Sequence, residues 1–228
     1  MNNFQKFFGH LRTVSKHRKF VRKHCFMARL YWQGLTHDLS KYSPVEFWES
    51  VKYYQGNRSP IDACKEYNGF SMAWQHHRGR NKHHREAWTD HYDMGTACMP
   101  MPYKYAAEML CDYLGAGKAY QGAAFTYDSE LRWWEGQLDK NICIHPMTAK
   151  FITLVLTDLA EIGYYNKNDK RILKNLQLYY EKAYEWYWYH MRGKGNAIYF
   201  GRSLDFKGQL KEKYYSSLRV NKNEEEND

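Results

Sequence analysis

Hydrophobic and polar positions near the start of the chain follow the 3.6-residue period of an α-helix. Between Val14 and Trp32, apolar or histidine residues recur every three or four positions, a spacing typical of the buried face of a helix. His17 and His24 both fall on this face. The pattern therefore predicts a helix whose inner side carries two imidazoles.

Helix start and stop signals predict further helices along the chain. Ser43 can cap a helix, Pro44 suits its first position, and Glu46 three residues after the serine completes a capping box. Gly56 and Asn57 end this helix. The other predicted segments are a short helix within 58–70, a helix end at Met72–His77, and helices at Tyr103–Tyr120, Ser129–Leu138, Pro146–Gly163 and Asp169–His190, with a small strand or hairpin at Ile198–Phe206.

These elements predict an all-α fold. The domain organisation expected from them is a helical metal-binding domain at residues 1–165 and a C-terminal helical extension at 166–220 packed on it. Residues 221–228 are polar and charged, a composition typical of a disordered tail.

The net charge of the chain limits the class of partner that it is expected to bind. The 228 residues carry a formal charge of +9, which suits an anionic partner such as a phosphorylated metabolite or a nucleic acid. The plainer interpretation of the basic residues is the solvated face of a helix. They are densest in one run: Arg12, Lys16, Arg18, Lys19, Arg22 and Lys23.

The chain is expected to be cytoplasmic and not to enter a membrane. Its longest apolar stretch, Phe151–Gly163, is short and is interrupted by Asp158 and Glu161, so it does not resemble a membrane span. The basic first residues lack the apolar core of a secretory signal. The five cysteines are far apart and form no Cys-x-x-Cys pair, so neither a zinc finger nor a disulfide framework is expected.

The segment His37-Asp38-Leu39-Ser40-Lys41 places a nitrogen and an oxygen metal ligand on adjacent residues. His17 lies upstream, histidines are dense between His76 and His84, and Asp112 follows. Histidine and carboxylate together suit a divalent metal ion. Three alternatives remain open: His17 as an ordinary core histidine, with His24 as its competitor; the histidine-rich segment as a flexible loop; and Asp112 as a solvated aspartate.

This arrangement resembles the HD-domain superfamily of metal-dependent phosphohydrolases, in which an early histidine, an adjacent His-Asp pair and a distal aspartate hold one divalent ion. The resemblance covers roughly residues 13–120 and implies an HD-like helical bundle. The segments Gly34–Phe47 and His76–His84 are also similar to an uncharacterised bacterial and phage family. The ligands implied for a first ion are His17, His37, Asp38 and Asp112, and those for a second are His77, His83 and His84. Whether His76 or His77 is the ligand is open.

The function implied is hydrolysis of a phosphate ester, such as a nucleotide or a small phosphorylated metabolite. Asp38 would be both ligand and base, and Lys41 would steady the phosphate with Arg78 and Arg80. The cofactor would be one or two divalent ions, with Mn, Fe, Co, Mg and Zn not distinguished. The competing hypotheses are an HD-type di-iron oxygenase and a non-enzymatic nucleic-acid-binding helical protein.

Overall fold

The computed structural model describes residues 1–92, 95–140, 142–163 and 168–190. Within these ranges the chain is all-α, as predicted, with ten α-helices and one small antiparallel sheet. The helices are α1 Asn3–Met27, α2 Tyr31–Thr36, α3 Pro44–Tyr53, α4 Pro60–Asn68, α5 Met72–Arg80, α6 Tyr103–Gln121, α7 Tyr127–Asp139, α8 Pro146–Ile162, α9 Asp169–Lys174 and α10 Leu176–His190. The strands are β1 Thr89–Tyr92 and β2 Gly95–Cys98, and short 3₁₀ turns lie at Leu39–Tyr42, Arg85–Trp88 and Gly122–Ala124.

Helices α1 and α6 form the most extensively packed pair. The two backbones approach closely because Gly115 of α6 has no side chain: a Cβ there would lie 2.4 Å from Cγ2 of Val21 and 2.8 Å from its backbone nitrogen. Ala106, Ala107 and Leu110 of α6 are fully buried, so this helix is central, as its all-round apolar pattern predicts. The close approach matters for the site, since α1 carries His17 and α6 carries Asp112.

The C-terminal half packs around α8, which contacts both α7 and α10. Phe151, Val155 and Leu159 of α8 are fully buried. Two large aromatic side chains here, Trp134 and Phe151, are fully buried. Trp134 donates its ring N–H to Thr153 Oγ1 at 2.7 Å, as a buried tryptophan requires.

Two predicted helices are interrupted in the structure. The helix expected over 14–33 ends at Met27, and a second begins at Tyr31. Arg29 lies between them in the left-handed region at φ 62°, a conformation that cannot continue a right-handed helix. The helix expected over Asp169–His190 is likewise divided, at Asn175.

The start of α3 confirms one part of its sequence signal and corrects another. Ser43 Oγ accepts a hydrogen bond from the backbone N–H of Glu46 at 3.5 Å. The Glu46 carboxylate does not complete the capping box, because it contacts His76 and His77 instead. The predicted helix end at Met72–His77 is a nine-residue helix, and Gly79 lies inside it rather than in a loop.

The prediction that the cysteines form no disulfide framework is wrong for one pair. Cys98 and Cys143 form a disulfide across 45 residues of chain, with their Cα atoms 6.1 Å apart. It joins the end of β2 to the segment before α8. Their separation in the sequence gave no sign of the pairing, which depends on how the folded chain brings the two segments together.

Some predictions fall outside the described residues. These are the hairpin at 198–206, the tail at 221–228 and most of the extension at 166–220; its described part, α9 and α10, packs on α8. None of the described helices is long and apolar enough to cross a membrane.

Replacing Gly115 with alanine should test the α1–α6 contact. The new methyl group would overlap Val21, and such overpacking typically costs about 1–3 kcal/mol. Gly136 is the matched control, because it lies in a helix with open space around its Cα. Gly136→Ala should stabilise the protein by up to about 1 kcal/mol. Thermal unfolding measures both variants, and equal effects of the two would contradict the proposed close contact.

Candidate metal centre

The predicted metal ligands converge on two groups that share one residue. The first group is His17, His37, Asp38 and Asp112, and the second is Asp38, His77, His83 and His84. In each group, one ligand atom from every residue lies within 4.8 Å of the others. The structure therefore brings together residues that are up to 95 positions apart, from Asp112 back to His17.

Asp38 stands between the two groups and is itself in a strained conformation. It lies two residues after the end of α2 and adopts φ 54°, a left-handed value that is uncommon for residues other than glycine. Its Oδ2 lies 3.3 Å from His17 Nε2 and 3.2 Å from His37 Nε2. Its Oδ1 faces the other way, 3.3 Å from His77 Nε2.

The first group places two imidazole nitrogens against two carboxylates. His17 Nε2 and His37 Nε2 are only 3.3 Å apart, and they lie 3.2 and 3.4 Å from Asp112 Oδ1. Two nitrogen lone pairs at this distance repel each other unless a proton or a metal ion lies between them. The arrangement of nitrogen and oxygen donors fits a divalent ion.

The second group contains buried polar atoms that form no hydrogen bond with any described residue. Among the described residues, none makes a hydrogen bond to Asp38 Oδ1, His83 Nε2 or His84 Nε2, although all three atoms are buried. Buried nitrogen and oxygen atoms are rarely left in this state. A metal ion would satisfy all three, so this group also fits a divalent ion.

The pKa values of residues in the cluster are shifted in different directions. Burial alone would lower the pKa of His37, but the charge of Asp38 and the contact with Asp112 raise it well above its usual value. Burial would raise the pKa of Asp38, yet the charges of His37 and Lys41 hold it well below its usual range. Burial and the nearby charge of His83 lower the pKa of His84 well below its usual value. His37 is therefore an imidazolium among carboxylates until an ion displaces its proton, whereas His84 is neutral.

Two glutamates that sequence reasoning did not assign to the site lie behind the imidazoles. Glu108 Oε1 is 3.0 Å from His37 Nδ1 and 3.2 Å from His83 Nδ1. Glu46 Oε2 is 2.7 Å from His77 Nδ1. One signal was available for Glu108: it precedes Asp112 by four residues, so both side chains lie on one face of α6.

The three residues predicted to bind phosphate differ in whether they adjoin the cluster. Lys41 Nζ lies 2.6 Å from Asp38 Oδ2 and so adjoins the cluster. Arg78 donates to Gln75, and Arg80 donates to His76 Nε2 at 2.8 Å. Among the described contacts, neither arginine side chain forms a hydrogen bond or ion pair with a residue of the two groups.

The structure also shows which of the alternative histidines lie at the cluster. His77 faces Asp38, whereas His76 Nδ1 binds Glu46 Oε1 at 2.6 Å on the outer side of α5. His24 is buried but belongs to neither group. Burial and the charge of Lys23 lower its pKa to about 3, so it behaves as a neutral core histidine.

Two polar residues near the cluster, Arg18 and Asn81, hold the segment that carries it. Arg18 donates to the backbone oxygens of His37 and Leu35 at 2.8 and 3.1 Å, so it belongs to the framework and not to the open basic surface. Asn81 donates to Ser40 Oγ at 2.8 Å and contacts the carbonyl of His77 at the same distance. These bonds tie the His-Asp segment to α1 and α5.

The chain belongs to a protein family described as a family of unknown function, DUF5662. The family model matches residues 6–158, more than half of the chain, and this region includes every residue of both groups. No curated protein and no solved structure is significantly similar to the chain.

Metal binding should become tighter as the pH rises through neutrality. The pKa of His37 is raised, so its proton is still bound near pH 7 and must leave when an ion occupies the first group. Affinity should therefore rise between about pH 6.5, the ordinary pKa of histidine, and more alkaline pH. Calorimetric titration in buffers of different ionisation enthalpy should detect at least one proton released for each protein. A pH-independent affinity with no proton release would contradict this assignment.

Proposed function

We propose that this chain is a metal-dependent phosphohydrolase with an HD-like dinuclear centre. One observation carries the proposal: Asp38 presents one oxygen to each of two histidine groups, and three buried atoms of the second group, Asp38 Oδ1, His83 Nε2 and His84 Nε2, form no hydrogen bond with any described residue. Centres that hold two ions bridged by a carboxylate commonly hydrolyse phosphate esters. The resemblance of the His37-Asp38 segment to the HD superfamily supports the same reaction.

The chain's own residues have distinct roles in this proposal. Two divalent ions would supply Lewis acidity toward a phosphoryl oxygen and an attacking water. Asp38 holds the two groups together. Its low pKa makes it a good anionic ligand and a weak proton acceptor, so a role as general base receives little support. Lys41, now paired with Asp38, has the reach and charge to bind a phosphate oxygen.

Substrate would approach from the side of the first group. The side chain of Lys41 is 26% exposed, and those of Asp112 and His17 are 14% and 11% exposed. The side chains of His77 and His83 are each only 2% exposed. The limited exposure of the first group suits a small phosphorylated metabolite or a nucleotide.

Metal analysis of untagged protein, followed by phosphatase assays, tests this function. The manganese-loaded protein should hydrolyse p-nitrophenyl phosphate or a member of a nucleotide panel. His84→Ala should lose one of two bound ions and at least about tenfold in rate. His76→Ala is the matched control and should keep both ions, because His76 belongs to neither group.

Two results would count against this proposal in different ways. A fully loaded protein that hydrolyses no phosphate ester would make the reaction wrong. A His84→Ala variant with both ions and full turnover would make the second group wrong.

Imidazole and carboxylate also suit iron, so a di-iron oxygenase is the competing activity. Iron in the purified protein together with substrate-dependent oxygen uptake would favour it.

Nucleic-acid binding is a second candidate function, favoured by the outer face of α1. The first 37 residues contain eight Lys and Arg and no Asp or Glu. Arg12, Lys19 and Arg22 are exposed on this face and form no ion pair with any residue in the described part of the chain. Exposed Phe8 and Phe26 lie on the same face. Interleaved cations and aromatic rings are typical of single-strand binding surfaces.

This basic face is separate from the metal centre. Positions two and five residues away from His17 lie on the far side of the helix, whereas His17 itself is buried. A strand bound along Arg12, Lys19 and Arg22 would therefore not place a phosphate at the cluster. The candidate is a binding function in its own right.

Neutralising the outer face of α1 should weaken binding to single-stranded DNA. The triple variant Arg12→Ser, Lys19→Ser, Arg22→Ser should lower the slope of log affinity against log salt by about two. A matched variant removes the same charge from α9: Lys170→Ser, Arg171→Ser, Lys174→Ser. Fluorescence anisotropy at several salt concentrations compares the two. Equal losses in both variants would mean that net charge, and not this face, attracts the strand.

The cytoplasmic location stays part of the proposal and has one observation against it. The Cys98–Cys143 disulfide is of a kind that persists mainly in oxidising compartments. The three other cysteines, Cys25, Cys64 and Cys111, are free and buried.

A further inference from the structure

Glu108 contacts one histidine of each group and so links the two groups, as Asp38 also does. It is buried on α6, one turn before Asp112. A single oxygen, Oε1, lies 3.0 Å from His37 Nδ1 and 3.2 Å from His83 Nδ1. His37 belongs to the first group and His83 to the second.

These two contacts fix which nitrogen of each ring carries a proton. A carboxylate only accepts hydrogen bonds, and Glu108 Oε1 lies within hydrogen-bond distance of the Nδ1 atoms of both His37 and His83. Both Nδ1 atoms are therefore donors. Each ring then directs Nε2 toward its own group, and a carboxylate oxygen has two lone pairs with which to accept both bonds.

Glu46 provides a contrast within the same cluster. Its Oε2 lies 2.7 Å from His77 Nδ1, and its Oε1 lies 2.6 Å from His76 Nδ1. Only His77 is a member of either group. Glu46 can therefore orient a ligand of the second group alone.

We propose that Glu108 is a positioning residue that sets the imidazoles of both metal groups at once, so that the two groups are built as one unit. The proposal rests on the dinuclear centre proposed above. A carboxylate behind a metal-binding histidine fixes the ring and increases its basicity, and losing one typically costs 10–100-fold in metal affinity. Because one oxygen serves two rings, this loss should appear at both groups together.

A rival interpretation is that His37, His83 and Glu108 hold an ion themselves, since their atoms also lie close enough. The contacts argue against it. Two N–H donors meet a carboxylate acceptor at ordinary hydrogen-bond distances. The atoms without a hydrogen bond, His83 Nε2 and His84 Nε2, belong instead to residues grouped with Asp38, and His83 Nε2 lies 3.5 Å from Asp38 Oδ1.

Two backgrounds allow each group to be measured alone. His17→Ala removes a ligand of the first group and keeps the second intact, whereas His84→Ala does the reverse. Glu108→Gln and Glu46→Gln, which keep the shape of the side chain, are placed in both backgrounds. Zinc binding to the four combinations is measured by calorimetry, after circular dichroism has shown that each is folded.

Glu108→Gln should lower zinc affinity by about tenfold or more in both backgrounds. Glu46→Gln should do so only in the His17→Ala background. In the wild-type background, ¹⁵N spectra of the imidazoles should show the Nδ1 shifts of His37 and His83 moving together in Glu108→Gln, a change that a general loss of stability would not produce. This spectrum also tests the proposal if a double variant fails to fold.

Three contrary results would lead to three different conclusions. If the two backgrounds bind zinc but Glu108→Gln weakens only one group or neither, Glu108 is not shared and the metal centre still stands. If Glu108→Gln removes one whole equivalent of zinc from the wild type, the rival third site is correct. If the wild-type protein binds no zinc or manganese at all, both the proposed function and this inference are wrong.

Discussion

The burial of one carboxylate, that of Asp38, sets the requirements for everything around it. An ionised group removed from water is very costly unless opposite charges or hydrogen bonds compensate it. Asp38 is compensated on both oxygens, by His17, His37 and Lys41 at Oδ2 and by His77 near Oδ1. These partners come from α1, the segment after α2, and α5, so the helices must meet at this point for the carboxylate to remain buried.

The framework that brings these helices together is mostly apolar and lies beside the charges. Gly115 lets α6 approach α1 at Val21, and this approach places Asp112 opposite His17. The polar bonds from Arg18 and Asn81 then fix the His-Asp segment against α1 and α5. Apolar packing supplies the stability, since buried charges seldom stabilise a protein on balance.

Features that depend on local pattern were predictable from the sequence. The all-α class, α6 and α8 follow from hydrophobic spacing and, for α8, from the proline at its first position, Pro146. The grouping of His17, His37, Asp38 and Asp112 was expected from a resemblance, not from spacing. The break at Arg29 was hidden, because the apolar period continues through it and a single left-handed residue leaves no compositional sign.

Features that depend on tertiary contact were not predictable, and Glu46 shows why. Three residues after Ser43, a glutamate has a sufficient local explanation as the second half of a capping box. In the folded chain, His76 and His77 offer its carboxylate two N–H donors, and these outcompete one backbone N–H near solvent because charge-assisted bonds are stronger where water is scarce. Glu108 poses the same difficulty: on α6 it resembles any polar residue at the edge of an apolar helix. Its importance comes from two histidines that lie 71 positions before it and 25 positions before it in the chain.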